Sequence, residues 1–337
     1  MTARLGTRGT PRLPNRYTVH VSALTILQRA PRILTEGAVI ERLRRDPAVT
    51  LDPHVLHARL LYDPAGRACL AAVYRQYITI AADAGLPLIL GTPTWRANAE
   101  RLRAAGLADR DVNGDAVRFL AELRTASGTL ADRICIGGLV GCCGDAYQPR
   151  EALGEDEAAA FHEPHVAALA HAGVDFLHAA TLPACCEALG LARAMAAQRV
   201  PYVLSFVLRP TGALLDGTPL HEAVRSIDAA VTPAPLGYLA NCVHPDVFFA
   251  ALHGVTAADP AVRVRIIGLQ ANTSTLSPEQ LDGRAELDSM APDAFATAML
   301  DVHLRFGTRI LGGCCGTDDH HIRQLAAVLT RPRSPMV

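Results

Sequence analysis

Near the C-terminus, the stretch Leu311-Gly312-Gly313-Cys314-Cys315-Gly316-Thr317 sets two adjacent thiols at the end of the apolar run Arg309-Ile310-Leu311, with glycines on both sides. Thr317, Asp318 and Asp319 follow, residue types that open a helix. The pair therefore belongs at the C-terminal end of a strand, on a turn where glycine lets the backbone approach a bound atom closely. A third cysteine, Cys242, closes an earlier apolar run, Leu236-Gly237-Tyr238-Leu239-Ala240-Asn241. Three thiolates with an open fourth position are the donor set of a catalytic zinc, whereas a closed structural site takes four protein ligands. Cys242, Cys314 and Cys315 are accordingly read as one Zn²⁺ site.

These cysteines meet only if the chain folds so that distant strand ends converge. From residue 33, short apolar runs alternate with alanine-rich helical patterns. The runs are Ile33–Glu36, Pro87–Thr92, Ile134–Gly141, Asp175–Leu182, Tyr202–Leu208, Leu236–Cys242, Val264–Asn272 and Arg309–Cys315. Helices are expected over about 68–84, 113–127, 155–172, 184–198, 219–230, 245–253, 291–306 and 318–330. Asp216-Gly217-Thr218-Pro219 reads as a turn, an N-cap threonine and a first-turn proline, and Ser277-Pro278-Glu279 as the start of a short extra helix.

This pattern points to the α/β class and a single (β/α)₈ TIM barrel, whose usual size is about 250 residues. An open doubly wound sheet would alternate in the same way. Neither G-x-G-x-x-G nor G-x-x-x-x-G-K-[ST] is present to support it. In a barrel, the ends of the sixth and eighth strands flank one neighbour at the C-terminal mouth, where active sites lie. The expected organisation is an N-terminal extension over 1–30, one barrel over 31–331 and a tail over 332–337.

Composition agrees. Half of the 337 residues are hydrophobic and only 5% aromatic, which favours helices on a parallel sheet over a β-sandwich. A net charge of −1 gives no general attraction to nucleic acid or an anionic membrane. No apolar stretch is long enough to span a bilayer. The N-terminus carries Arg4, Arg8, Arg12, Arg16, Arg29 and Arg32 with no acid before Glu36, as a transit peptide can. The ordinary reading, a loose solvated extension, is preferred. Nine cysteines in a chain of this length fit a reducing cytoplasm and thiol or metal chemistry better than a disulfide framework.

The residues resemble the homocysteine S-methyltransferase family. The matching pieces are Gly312-Gly313-Cys314-Cys315-Gly316-Thr317, Asn241-Cys242 and Asp216-Gly217-Thr218-Pro219-Leu220. Gly173-Val174-Asp175-Phe176-Leu177 running into Thr181-Leu182-Pro183 also fits, as does Ile33-Leu34-Thr35-Glu36-Gly37 more loosely. The resemblance spans about residues 30–330 in order. It implies a zinc barrel that moves a methyl group from a small onium donor (S-methylmethionine, S-adenosylmethionine or betaine) to homocysteine, giving methionine. It further implies a substrate pocket drawn from Glu36, Gly37, Thr92 and Thr94; Asn272, which closes the seventh strand between the two metal-bearing ones, is read from that position as lining the pocket or capping the turn with Thr273 and Ser274. A free thiol has a pKa near 8.5, and the thiolate is the nucleophile; zinc replaces the proton and holds the sulfur in place.

The pocket departs from the family pattern in three places. An aspartate and two glycines usually open the barrel, where this chain has Glu36-Gly37-Ala38. A glutamate usually follows the fourth strand, where it has Ala180, and a glutamine often precedes the threonines, where it has Gly91. Three other readings therefore stay open: another thiol acceptor, a subunit working with a separate corrinoid protein, and a non-catalytic zinc- or thiol-binding homologue. Cys142-Cys143, in a glycine-rich stretch ending Gly144-Asp145-Ala146-Tyr147, reads as small residues packed in a tight loop. Cys69, Cys135 and the pair Cys185-Cys186 read as buried small hydrophobes. His244 reads as a capping or surface residue, His320 and His321 as exposed, and Trp95 as packing or pocket wall.

Overall fold

The computed structural model describes residues 21–276 and 289–331. The strands are β1 (Ile33–Thr35), β2 (Leu88–Gly91), β3 (Ile134–Val140), β4 (Phe176–Leu182), β5 (Tyr202–Phe206), β6 (Gly237–Val243), β7 (Ile266–Ala271) and β8 (Ile310–Gly313). They pair in parallel in sequence order, and β1 closes on β8 through Ile33↔Ile310 and Leu34↔Leu311. The result is the (β/α)₈ barrel expected from the alternation. Several apolar runs outlast the strands: Glu36, Thr92, Asn272, Cys314 and Cys315 lie just past the ladder, on the mouth side. Val264, expected to start the seventh strand, is instead exposed after the short helix Pro260–Arg263.

Local chemistry accounts for the helix limits. The helix Pro64–Ala84 starts with Asp63 accepting from the Gly66 N–H and with Pro64 in its first turn, and ends at left-handed Gly85. In the helix Asp319–Thr330, Asp318 accepts from the N–H groups of His320 and His321, and the His321 ring returns the bond to complete a capping box. The eighth connection therefore starts where Thr317, Asp318 and Asp319 suggested. Thr218 is not an N-cap, however. Pro219 holds that position without a side-chain bond, and the Thr218 N–H instead donates to Asp216 Oδ1 (2.9 Å). The proposed helix start at Ser277-Pro278-Glu279 lies outside the described residues.

The barrel floor corrects the reading of residues 21–29 as part of a loose extension. They form the helix Val21–Arg29, and Ala23 and Leu27 are buried. Both join a cluster with Ile33, Ile89, Cys135, Phe176, Val203, Leu239, Ile267 and Ile310, from strands all round the barrel. Arg309 donates through Nη1 to the Leu27 carbonyl, which ties this helix to β8. An arginine-rich segment with scattered apolar residues looks solvated until the open barrel end is supplied as a partner. Leu27→Ala is expected to cost about 3 kcal/mol in reversible denaturation of the full chain; a change below about 0.5 kcal/mol would show that the helix only rests on the floor.

Candidate metal centre

The Cys242, Cys314 and Cys315 ligand atoms lie within 4.8 Å of one another, the one such cluster of three among the described residues. Cys242 and Cys315 sulfurs are 3.3 Å apart, and all nine cysteines are free thiols. Cys242 sits at a bulge of β6, where the register with β7 jumps from Asn241↔Gln270 to Val243↔Ala271. Its φ of 56° is left-handed, unusual for a residue with a side chain and a known device for re-aiming one at a site. Asn272 secures the bulge, its Nδ2 donating to the Cys242 carbonyl (3.1 Å) and its N–H to Val243 O (3.2 Å).

The Cys314-Cys315 turn is held from three sides. Cys314 N–H donates to Ala271 O (2.7 Å), Thr273 N–H to Cys315 O (3.2 Å) and Gly316 N–H to Glu41 Oε2 (2.6 Å). Thr317 Oγ1 donates to Cys314 O (2.6 Å) and accepts from the Ala38 N–H (3.0 Å), which links the turn to the β1 loop. Gly316 has φ 81°, and a Cβ there would fall 1.9 Å from Thr273 Oγ1, so glycine alone fits.

Hydrogen bonds with Cys314 and then Cys315 hold the Cys242 thiol well below its usual range. The same bonds push Cys314 and Cys315 up. Tyr147 Oη lies 2.9 Å from Cys242 Sγ, and the charge on that sulfur raises the phenol's pKa. The tyrosine therefore donates to the thiolate. In the sequence its only signal was its place at the end of Gly144-Asp145-Ala146-Tyr147, beyond the third strand.

A cavity of about 1160 Å³ opens over the thiols. Glu36, Gly37, Thr92 and Asn272 line it, as do Gly91, Ala180 and Trp95. Thr94 does not. Its hydroxyl donates to Leu139 O (2.7 Å) and pairs with Thr92 Oγ1 (2.7 Å), which itself accepts from Leu139 N–H (2.9 Å). Both threonine hydroxyls are spent on joining the β2 and β3 loops, so Thr94 is removed from the substrate set. Glu36 is 8% exposed; its Oε1 accepts from the Gly91 N–H (2.8 Å), while Oε2 has no hydrogen-bond partner. Burial raises its pKa to about 7. Asn272 Oδ1 is likewise buried without a partner.

The remaining candidates fall outside the thiol cluster. Cys142 is packed against the Gly144 carbonyl (3.5 Å), its pKa pushed up to about 12 by burial. Cys143 is half-buried, its N–H donating to Glu187 Oε1 (2.6 Å), which also meets His162 Nε2 (2.9 Å). This buried Glu187–His162 pair under the β3 loop carried no signal in the sequence. Cys135 is a core residue, Cys69 half-buried, and Cys186 is exposed rather than buried, because the helix Cys185–Ala197 turns it outward. His244 is a cap, its Nδ1 accepting from Asp246 N–H (3.2 Å). His321 is buried, not exposed as expected: its Nε2 donates to Met290 O (2.8 Å) while its Nδ1 accepts from the Asp318 N–H (3.2 Å). Trp95 walls the cavity, with Nε1 donating to Thr181 Oγ1 (3.0 Å).

Comparison with known proteins identifies the assembly. The family model described as homocysteine S-methyltransferase matches residues 33–329. The chain belongs to this methyltransferase family. It is 25% identical over 326 residues to the homocysteine S-methyltransferase YbgG of Bacillus subtilis, covering 90% of this chain and 96% of that protein. It is 33% identical to the homocysteine S-methyltransferase of Escherichia coli over 172 residues, about half of each. The metallated crystal structure of the homocysteine methyltransferase MmuM from Escherichia coli superposes with a TM-score of 0.72 at 23% identity, covering 91% of this chain and 99% of that one. The apo form superposes at 0.64. This likeness supports the barrel.

The buried carboxyl gives a pH test. Glu36 holds a proton in the folded chain between about pH 4.5 and 7 that the unfolded chain releases, so folding stability falls as pH rises through that window. Glu36→Gln keeps an acceptor for the Gly91 N–H and removes the titration. In the metal-free chain, its advantage over the parent should grow from pH 5 to pH 8 and reach about 3 kcal/mol. A pH-independent difference in urea melts would refute a buried, titrating Glu36.

Proposed function

We propose that this chain is a zinc-dependent S-methyltransferase that moves a methyl group from a small onium donor to homocysteine. The observation that carries this reading is the convergence of three thiols at a cavity that is also lined by a buried carboxyl with one unpartnered oxygen.

The residues fit zinc. Four ligands at about 2.3 Å in a tetrahedron set sulfurs about 3.8 Å apart, and the Cys242, Cys314 and Cys315 ligand atoms already lie within 4.8 Å. Bound there, zinc would keep the acceptor sulfur as a thiolate at neutral pH. The protein's own groups do the rest. Tyr147 donates to Cys242 Sγ, and Asn272 holds the Cys242 carbonyl, so the sulfur set is aimed before substrate arrives. Glu36 Oε2 and Asn272 Oδ1 are buried acceptors without donors, which N–H groups of a bound ligand would satisfy. In the transfer, the acceptor sulfur forms the new S–C bond while the donor's onium bond breaks and its electron pair stays with the departing sulfur or nitrogen.

Ala180 favours a second reading. It lines the cavity where the family pattern has a glutamate, so Glu36 is left as the carboxylate for the acceptor's head group. A thiol with a different head group is that alternative. Assay of homocysteine beside thiols lacking the ammonium should show homocysteine preferred by about tenfold or more. Equal turnover of the panel would select the alternative.

Cys314→Ala and Cys315→Ala should each weaken zinc binding by at least about tenfold and abolish transfer. Full zinc content in both purified variants would refute the ligand assignment. No helix among the described residues is long and apolar enough to cross a membrane. Nine free thiols support a reducing compartment, and we place the enzyme in the cytoplasm.

A further inference from the structure

The part of the cavity lined by the segment after β2 carries charge that the thiol chemistry does not use. Arg96 follows β2, and Arg101 lies on the helix Ala99–Ala104; both line the cavity. Arg96 Nη1 donates to the carbonyls of Gly144 (2.5 Å) and Cys143 (3.5 Å), and Arg101 Nη2 donates to the same Cys143 carbonyl (3.4 Å). Two guanidinium groups thus meet at one backbone oxygen. The Arg96 guanidinium is also stacked 4.2 Å from the centre of the Trp95 ring, which fixes its plane.

Neither arginine forms an ion pair among the described residues. Elsewhere, arginines pair readily, as in Arg124 with Asp175 (2.7 Å) and Arg265 with Asp228 (2.8 Å). Asp145 is near enough for its charge to act on Arg96, but it is exposed, forms no ion pair with either arginine, and its Oδ1 accepts from the Tyr147 N–H (2.9 Å). Burial pulls the Arg96 guanidinium below its usual range, as happens when a charge is partly desolvated without a full counter-charge. Carbonyl oxygens satisfy hydrogen bonds but leave the charge standing. Planar, pre-oriented guanidinium groups are matched to carboxylates.

We propose that Arg96 and Arg101 form a subsite for a carboxylate carried by one of the two substrates. It rests on the methyl-transfer reading above for the identity of those substrates. Within one cavity, Glu36 and Asn272 require hydrogen-bond donors and the arginines require an acceptor. The cavity therefore takes ligands of mixed charge. The carboxylate comes either from an onium donor, on the far side of the reacting sulfur, or from the acceptor itself.

Two ligand pairs separate these sources. Dimethylsulfoniopropionate and ethyldimethylsulfonium share a reacting sulfonium and differ in the carboxylate. Homocysteine and 3-aminopropane-1-thiol do the same for the acceptor. Calorimetric titration of the zinc-loaded full chain should show the carboxylate member of one pair binding at least about tenfold tighter. Arg96→Gln and Arg101→Gln should each remove most of that preference and leave the carboxylate-free member unchanged. Arg96→Lys, which keeps the charge, should retain more of the preference than Arg96→Gln. The pair that responds identifies the substrate.

The proposal is overturned if neither pair discriminates, if the Gln variants weaken both members alike, or if Lys does no better than Gln. The last two results would mean that the arginines only brace the β3 loop. Methyl transfer measured with the same ligands keeps the two readings apart. A chain that prefers carboxylates but transfers no methyl group retains the subsite and loses the proposed reaction.

Discussion

Three sulfurs held within 4.8 Å in a largely buried site are the constraint on which the rest of this structure depends. Three thiolates at that spacing would repel strongly in a low-dielectric surrounding. Hydrogen bonds among the three sulfurs ease that conflict, holding the Cys242 thiol low and the other two high. That solution needs the sulfurs at fixed positions, so the backbone has to supply the positioning. A non-glycine residue at φ 56° costs on the order of 1–3 kcal/mol. Asn272 offsets part of this by bonding both Cys242 O and Val243 O, and the β7 end is thereby locked between the two thiol-bearing strands.

Barrel closure turns the local device into a site. Cys242 and Cys315 are 73 residues apart, and only the β6–β7–β8 order brings their loops together at one end. The Cys314-Cys315 turn takes bonds from Ala271, Thr273, Glu41 and, through Thr317, Ala38. Loops after β7, β1 and β8 are thus fastened to one another around the sulfurs. At the other end, Ala23 and Leu27 seal the floor. The mouth can stay open and polar because the floor is dry.

The parts legible in the sequence were those with local signatures. Alternating apolar runs and helix caps were enough for the barrel, and the glycine-bracketed cysteines for the thiol cluster. What escaped notice depends on partners far along the chain. Thr94 looks like a pocket residue until Leu139 takes its hydroxyl. His321 looks exposed until Met290 O accepts its ring. Tyr147, Arg96 and Arg101 acquire meaning only when the β2 and β3 loops fold over the mouth, and the helix Val21–Arg29 only when a floor exists for it to cover.

Two departures from the family pattern reduce to one. Glu36 is a methylene longer than the aspartate usual at that place, and Gly91 lacks the side chain often found at its own. A Cβ on Gly91 would lie 2.8 Å from Glu36 Oε1, in the space the longer carboxylate now fills. The same oxygen takes the Gly91 N–H, so the backbone of β2 holds the carboxylate while Oε2 is left for a ligand. The longer acid requires the missing side chain, and the missing side chain gives it a hydrogen bond. Ala180, by contrast, brings no carboxylate to the cavity it lines. On the function proposed above, a ligand's head group would meet a carboxylate of raised pKa and an amide oxygen. That makes the site responsive to the ligand's own charge: a cation beside Glu36 favours the ionised carboxylate, whereas a neutral group leaves it protonated.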